Sequence, residues 1–132
     1  MFNNKKILVT GGAGFLGTNL LLRLLDTDAE IRATLHKSPA QIEDQQIDWK
    51  KCDLLNREDC KEVCEDIDVV FMCAAHTAGA MIIENSPLSL LSPNLIMNTH
   101  LLDAAYEAGV NKVVFISSNT VYPVSEHAMN EE

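Results

Sequence analysis

Short hydrophobic runs alternate with longer amphipathic stretches along this chain. Five of the short runs contain enough apolar residues to form strands. A continuous apolar run is typical of a strand that is covered on both faces, as in a parallel sheet. The pattern predicts strands at Lys5–Thr10, Glu30–Leu35, Ile47–Cys52, Ile67–Ala75 and Lys112–Ser118.

Three amphipathic stretches between these runs predict helices. Phe15–Leu25 carries a broad apolar face, and Asn56–Asp66 opens with a capping residue followed by acids in its first turn. The third helix has two possible starts, Ser86 and Ser92, each followed by a proline at the first helical position. Gly109 is predicted to cap its carboxyl end.

Alternation of strands and helices predicts the fold class. We expect an α/β fold in which a doubly wound parallel sheet of about five strands carries helices on both faces. The 132 residues fit one domain, 1–132, and a hydrophobic content of 47% is enough to bury a core. No internal repeat or interdomain linker interrupts the pattern.

The charge of the chain restricts its partners. Ten Lys and Arg residues against nineteen Asp and Glu residues give a formal charge of -9. This balance argues against a nucleic acid or an anionic membrane surface as partner. No apolar run approaches the ~20 residues of a membrane-spanning helix, and the first residues lack the apolar core of a signal peptide.

The four cysteines include no C-x-x-C pair. We therefore expect reduced thiols and a cytoplasmic protein. Cys60 and Cys64 are four residues apart on a predicted helix, but without a second ligand pair buried thiols are favoured over metal ligands. The sequence predicts no metal site.

Three glycines stand between the first strand and the first helix. Gly11, Gly14 and Gly17 form G-x-x-G-x-x-G, a spacing variant of the dinucleotide fingerprint. One glycine permits the tight turn, another lets backbone N–H groups approach a pyrophosphate, and the last lets helix and strand pack closely. An ordinary glycine-rich turn is the alternative, but the flanking strand and helix favour dinucleotide binding.

The end of the second strand bears on the choice of cofactor. A site that prefers NAD usually has Asp or Glu here for the ribose hydroxyls, whereas this chain has His36 and Lys37 after Leu35. A basic pair can receive a 2′-phosphate, so NADP is favoured over NAD. The alternative is a solvated lysine beside an incidental histidine.

Other strand ends carry candidate ligands. Asp53 follows the third strand, where a carboxylate contacts an adenine amino group or caps a turn. Ala74 and Ala75 end the fourth strand, where small side chains let a cofactor lie on the backbone or simply pack; His76 reads as a loop histidine. Ser118 closes the fifth strand at the ligand-binding edge, where its hydroxyl binds a substrate oxygen or caps the strand.

Together these segments resemble the extended short-chain dehydrogenase/reductase family, which includes NAD(P)-dependent epimerases, dehydratases and reductases of nucleotide sugars. Five motifs occur in family order over nearly the whole chain: 10–17, 53–54, 74–75, 94–105 and 113–122. The segments 74–79 and 118–123 look most like the GDP-L-fucose synthase branch, which uses NADPH.

The resemblance implies a role for each matching residue. Asn94 corresponds to the family's helix asparagine near the active site, and Ser118 to its catalytic Ser/Thr, which polarises a sugar hydroxyl or keto oxygen. Tyr122 belongs to the S-S-x-x-V-Y motif and is not the catalytic tyrosine. The residues predicted to bind the cofactor are Gly11, Gly14, Phe15, Leu16, Gly17, His36, Lys37, Asp53, Leu54, Ala74, Ala75, His76 and Asn94.

One part of the family pattern is missing. The Tyr-x-x-x-Lys pair lies some tens of residues beyond the serine in that family, and the ten residues after Tyr122 contain no further Tyr or Lys. We therefore expect the NAD(P)-binding Rossmann portion of a longer nucleotide-sugar enzyme, ending before its substrate domain and inactive by itself. The resemblance also implies a homodimer through the Asn94–Ala108 helix.

Two other interpretations remain open. A non-catalytic NAD(P)-binding sensor or protein-interaction module needs the same glycine turn but no catalytic pair. A structural fragment without a ligand needs neither. A measurement of cofactor binding distinguishes the structural fragment, which would not bind, from the enzyme portion and the sensor, which would.

Overall fold

Five parallel strands form one sheet in this computed structural model, which describes residues 2–77, 86 and 88–118. The strands are β1 (Lys6–Thr10), β2 (Glu30–Leu35), β3 (Ile47–Lys51), β4 (Val69–Met72) and β5 (Lys112–Phe115). The helices are α1 (Phe15–Leu24), α2 (Arg57–Cys64) and α3 (Leu88–Glu107). The spatial order is β3-β2-β1-β4-β5, so the predicted doubly wound parallel sheet is confirmed.

Alternating residues of β1 divide the core between the two faces of the sheet. Leu8 lies in the cluster that also holds the buried residues of α2 and α3. Ile7 and Val9 lie in the cluster on the opposite face, together with Leu21 and Leu24 of α1. Because β1 is covered on both sides, its sequence is a continuous apolar run rather than an alternating one.

The strand order places a crevice beside β1. The chain runs from β1 outward to β2 and β3 on one side, then crosses back through α2 to β4 and β5 on the other side of β1. Thr10 pairs with Met72, so the loop after β1 meets the loop after β4 at the carboxyl edge of the sheet. Ligands of open α/β sheets bind at such a switch point.

β3 ends one residue before its predicted end at Cys52, and two other strands end three residues earlier than the hydrophobic pattern predicts. The run Ile67–Ala75 forms a strand only at Val69–Met72, because β1 turns away at Gly11 and Ala74 N donates instead to Thr10 Oγ1 at 3.4 Å. β5 stops at Phe115, which pairs with Met72, the last residue of its only neighbour in the described sheet. In both cases the strand ends where its hydrogen-bonded partner strand ends.

The helix boundaries also differ in detail. α3 begins at Leu88, between the two predicted starts, because Ser86 O accepts from Ser89 N at 3.0 Å and closes a turn ahead of Pro93. Pro87 lies outside the described residues. The C-cap prediction is confirmed, since Gly109 has φ 73. Of the helices that the structure describes, none combines the length and apolar character that spanning a bilayer requires.

Both ends of α2 have polar partners. The side chain of Asn56 accepts from Glu58 N at 3.0 Å, so its predicted capping role is confirmed. The helix stops at Cys64 rather than near Asp66, which adopts a left-handed φ of 58. At the exit of this helix, Arg32 Nη1 donates to the carbonyl oxygens of Val63 at 3.1 Å and Glu65 at 2.9 Å.

Candidate functional site

A cleft of about 530 Å³ opens at the carboxyl edge of the sheet. Its walls come from the glycine loop after β1, from the segments that follow β2, β3 and β4, and from Pro93 and Met97 of α3. The cleft therefore lies at the switch point of the strand order, and it gathers residues from separate parts of the sequence.

The glycine loop holds an unusually close backbone contact at Gly11. This residue has φ +66, and a Cβ built on it would lie 2.8 Å from Ala74 Cα and 2.9 Å from Ala74 N. Both conformation and space therefore require glycine here. Thr34, a buried residue near the end of β2, fixes the loop: its Oγ1 accepts from Gly11 N at 3.1 Å, and its carbonyl oxygen accepts from Gly12 N at 2.9 Å.

Gly17 lets α1 pack directly on that loop. A Cβ at this position would collide with Gly11 O and would lie 2.8 Å from Gly12 Cα. Gly14 has an ordinary φ of -85, and a Cβ there would meet only Gly11 O at 3.2 Å. The three predicted glycines thus differ in purpose: Gly11 and Gly17 are needed for close approach, whereas Gly14 keeps the loop surface bare.

The amino end of α1 has the features of an anion-binding site. Gly14, the N-cap, offers no side-chain hydrogen bond, and the first turn contains no acidic residue. The first intrahelical bond runs from Thr18 N to Gly14 O, so the N–H groups of Phe15, Leu16 and Gly17 precede it. Such unpaired N–H groups and the helix dipole are the components of a phosphate site. A pyrophosphate fits this set of donors.

The predicted basic pair lies on the same cleft. His36 and Lys37 follow β2 and are exposed, and His36 Nε2 lies 3.8 Å from Asp53 Oδ2. Asp53 Oδ1 accepts from Leu55 N at 3.0 Å, so this carboxylate caps the turn after β3 and still faces the cleft. Leu54, the other predicted residue here, is buried at the wall.

Asn94 connects α3 to the segment after β4. Its Oδ1 accepts from His76 N and its Nδ2 donates to His76 O, both at 2.9 Å, and Nδ2 also donates to Leu90 O at 2.8 Å. Ala74, Ala75 and His76 line the cleft, but Asn94 is not among its lining residues. Its amide positions the loop, and its predicted contact with a cofactor stays a prediction.

Replacing Asn94 with leucine is expected to lower the free energy of unfolding by about 1–3 kcal/mol, because the backbone groups of His76 lose both partners. Asn98 is a matched control on the next turn of α3, and the described residues give its side chain no hydrogen-bond partner. Asn98→Leu should stay within about 0.5 kcal/mol of the parent in urea denaturation. Equal losses in both variants would contradict the assigned role.

Two cysteines line the cleft without having been predicted there. Cys52 is the first residue after β3, and Cys73 is the first residue after β4. Burial raises the pKa of Cys52 to about 12, with Cys60 and Asp59 adding to the rise, and burial also raises the pKa of Cys73. Both thiols are therefore neutral near pH 7 and act as apolar wall residues.

The buried thiols of α2 agree with the sequence prediction. Cys60 and Cys64 are fully buried, and Cys60 Sγ donates to Leu54 O at 3.5 Å. Within 2–77, 86 and 88–118, no group of three or more potential ligands is arranged to hold a metal ion.

The predicted catalytic serine follows the last strand of the sheet. Ser118 is exposed, three residues beyond the end of β5, and is not among the residues that line the cleft. Residues 119–122 of the S-S-x-x-V-Y motif, Tyr122 included, lie outside the described residues, as do Ala78 and Gly79. The role of Ser118 therefore stays a prediction.

Thr34 is the residue that the sequence analysis missed most clearly. It is only 3% exposed, and it holds the glycine loop through two hydrogen bonds. A buried hydroxyl residue near the end of a strand, next in space to a glycine loop, is the signal that points to it. This signal can be recognised only when the position of β2 beside β1 and its glycine loop is known.

A parallel sheet with a glycine loop and an open helix terminus at its switch point is the architecture of a dinucleotide-binding domain. Residues 7–132 match the NAD dependent epimerase/dehydratase family. The chain belongs to that family, and the resemblance drawn from the sequence motifs is confirmed.

Individual relatives agree with this assignment. The UDP-glucose 4-epimerase of Bacillus subtilis is 34% identical over 132 residues, covering 91% of this chain and 38% of that enzyme. The GDP-L-fucose synthase of Sinorhizobium fredii is 26% identical over 125 residues, covering 93% of this chain and 36% of that enzyme. The chain thus spans about a third of the length of the curated relatives it matches.

A solved structure is similar over nearly the same extent. MoeE5 in complex with UDP-glucose and NAD has a TM-score of 0.82 and 28% sequence identity, covering 96% of this chain and 41% of that protein. The similarity includes the five-stranded parallel sheet and therefore supports the fold as well as the family.

Proposed function

We propose that this chain is the NAD(P)-binding portion of a nucleotide-sugar epimerase, dehydratase or reductase. The main support for the proposal is the close packing of Gly17 against Gly11. This packing places the amino end of α1, which has no side-chain cap, at the cleft. The family assignment supports the same cofactor class. In the whole protein the bound cofactor would supply a nicotinamide for hydride exchange with a sugar carbon.

Different residues of the cleft would contact different parts of that cofactor. The N–H groups from Phe15 to Gly17 bind the pyrophosphate. The Asp53 carboxylate would hold the adenine amino group, and Leu54 would line the same part of the cleft. Ala74 and Ala75, which line the cleft next to Gly11, provide a surface without long side chains on which the cofactor lies.

We further propose NADP rather than NAD as the preferred cofactor. His36 and Lys37 are exposed on the cleft after β2, where a dinucleotide site contacts the adenine ribose. Two basic side chains suit the additional negative charge of a 2′-phosphate. The carboxylate of Asp53 near His36 does not replace an NAD-type ribose ligand, because it follows β3 rather than β2.

For the substrate we propose a nucleotide sugar, with the specificity of the GDP-L-fucose synthase branch. MoeE5 binds UDP-glucose in its solved complex, and the Sinorhizobium fredii relative is a GDP-L-fucose synthase. Ser118 would polarise the sugar oxygen in the whole protein. The relatives named above carry the names of enzymes, and none supports a non-catalytic sensor.

Cytoplasmic location and homodimerisation belong to the same proposal. The four cysteines are free, as expected in a reducing compartment. Leu91, Leu95, Leu102 and Tyr106 of α3 expose apolar side chains, which suits a helix that pairs with a second copy. A monodisperse monomer of the complete protein at high concentration would contradict the dimer.

The test of cofactor binding adds a carboxylate at the amino end of α1. Leu16, in the first turn, and Leu22, near the carboxyl end, are exposed to 49% and 50% and make a matched pair. Leu16→Glu should weaken NADPH and NADH binding by at least about tenfold, because the new charge opposes the pyrophosphate. Leu22→Glu should bind like the parent.

Binding is measured by isothermal titration calorimetry and by quenching of Trp49, the single tryptophan, which lies beside Gly12. Failure of the parent to bind either dinucleotide would overturn the proposed function. Equal affinities in the Leu16 and Leu22 variants would overturn the placement of the pyrophosphate at α1.

A further inference from the structure

A buried hydroxyl on β2 contacts the glycine loop. Within 2–77, 86 and 88–118, the only buried residues with a polar or charged side chain are Thr10 and Thr34. Thr34 O accepts from Gly12 N through the backbone, a bond that any residue at position 34 can make. The bond from Gly11 N to Thr34 Oγ1 at 3.1 Å is different, because it requires an acceptor on a short side chain. A valine of the same shape would leave Gly11 N without this partner.

The Gly11 peptide connects Thr34 to the amino end of α1. Gly11 O accepts from Gly14 N at 2.9 Å, and Gly14 is the N-cap of that helix. Gly11 has no side chain that could hold its left-handed conformation by packing, so its hydrogen bonds must do so. On the other side of the loop, Thr18 Oγ1 donates to Gly12 O at 3.0 Å. Two hydroxyls, one on β2 and one on α1, therefore hold the loop between the strand and the helix.

We propose that Thr34 is a positioning residue for dinucleotide binding, and that it acts through the Gly11 amide on the N–H groups at the amino end of α1. The inference rests on the proposed function and deepens it. Without the hydroxyl, the partly buried Gly11 N–H has no acceptor, and the loop rotates to find one. Such a rotation turns Gly11 O away from Gly14 N and misdirects the donors that a pyrophosphate requires.

The first experiment removes the acceptor and keeps the shape of the side chain. In Thr34→Val, calorimetry should show NADPH and NADH affinities that are both about five- to tenfold weaker, the effect of one lost hydrogen bond. The two losses should be equal, because the pyrophosphate is common to both ligands. Thr34→Ser keeps the acceptor and should bind within about twofold of the parent. A loss confined to NADPH would place the effect at the 2′-phosphate and overturn the proposal.

Thr27 provides a matched control for a merely structural role. Its Oγ1 donates to Leu24 O at 2.6 Å and accepts from Ala29 N at 3.4 Å, ahead of the start of β2 and at the edge of the sheet opposite to the cleft. Thr27→Val therefore removes a comparable hydroxyl and should lower the midpoint of urea denaturation while leaving both affinities unchanged. If Thr34→Val also lost stability without losing affinity, the proposal would be wrong.

Amide hydrogen exchange tests the same contact in the absence of any ligand. In the parent, the Gly11 amide should be protected by Thr34 Oγ1. Thr34→Val should remove that protection selectively, because the Gly12 amide keeps its bond to Thr34 O. The parent measurement also serves if Thr34→Val does not fold: a Gly11 amide that exchanges as fast as an unprotected one would overturn the proposal.

Failure of this inference is distinguishable from failure of the proposed function. If the parent binds neither NADPH nor NADH, the proposed function fails. If the parent binds and Thr34→Val binds equally well, only the role of Thr34 fails.

Discussion

Replacing Gly11 with alanine is expected to abolish dinucleotide binding and to lower the free energy of unfolding by about 3–5 kcal/mol. Two costs combine in this estimate. A left-handed conformation costs a residue with a Cβ about 1–2 kcal/mol, and Gly11 has φ +66. The remainder comes from crowding, because the new Cβ would lie 2.8 Å from the backbone Cα of Ala74, which no rotamer change can move away.

Gly109 provides the matched control. It has φ +73, but a Cβ there would meet nothing within 4 Å, and the residue lies after α3, away from the cleft. Gly109→Ala therefore isolates the conformational cost and should lose only about 1–2 kcal/mol in urea denaturation, with NADPH affinity unchanged. If Gly11→Ala lost no more stability than Gly109→Ala, the packing of the loop against Ala74 would not have the importance assigned to it.

The elements of this fold were predictable because their signals are local. A continuous apolar run such as that of β1 follows from burial on both faces, and the Asn56 and Gly109 caps depend on backbone geometry within a few residues. The glycine loop was predictable for the same reason. Its residues, the flanking strand and the flanking helix are contiguous in the sequence.

What the sequence could not supply depends on neighbours distant along the chain. β4 and β5 end where their partner strands end, although the hydrophobic runs continue to Ala75 and Ile116. The hydrogen bond from Gly11 N to Thr34 Oγ1 spans 23 residues, and those between Asn94 and His76 span 18. Such contacts form only once the strands are arranged in the order of the folded sheet, so a local sequence pattern does not reveal them.

The side chain of Arg32 shows how one residue joins three elements. Arg32 lies on β2 opposite Asp48 of β3, and its Nε donates to Asp48 Oδ2 at 3.1 Å. Its Nη1 donates to the carbonyl oxygens of Val63 and Glu65, at the carboxyl end of α2. A guanidinium serves this geometry because it carries several donors in a fixed plane, and a cation is favourable at a helix carboxyl terminus.

Replacing Arg32 with methionine is therefore expected to lower the free energy of unfolding by about 2–4 kcal/mol. Methionine keeps much of the apolar stem, so the loss measures the charged hydrogen bonds to the two carbonyl groups. The ion pair contributes the smaller part, because Asp48 is 48% exposed, and Asp48→Asn should cost less than about 1 kcal/mol. Arg32→Lys keeps the charge without the fork and should recover less than half of the loss.

Acid provides an independent test of the ion pair. Burial alone would raise the pKa of Asp48, but hydrogen bonds from Lys50 and Arg32 outweigh it and hold that pKa below its ordinary value of 3.8. A lowered pKa stabilises the folded state above the unfolded value and ceases to do so as the pH falls through the folded value. Urea denaturation should therefore show the parent losing its advantage over Asp48→Asn below about pH 4, while most of its advantage over Arg32→Met persists. A loss in Arg32→Met that disappeared with acid would instead assign the stabilisation to the ion pair rather than to the carbonyl groups of α2.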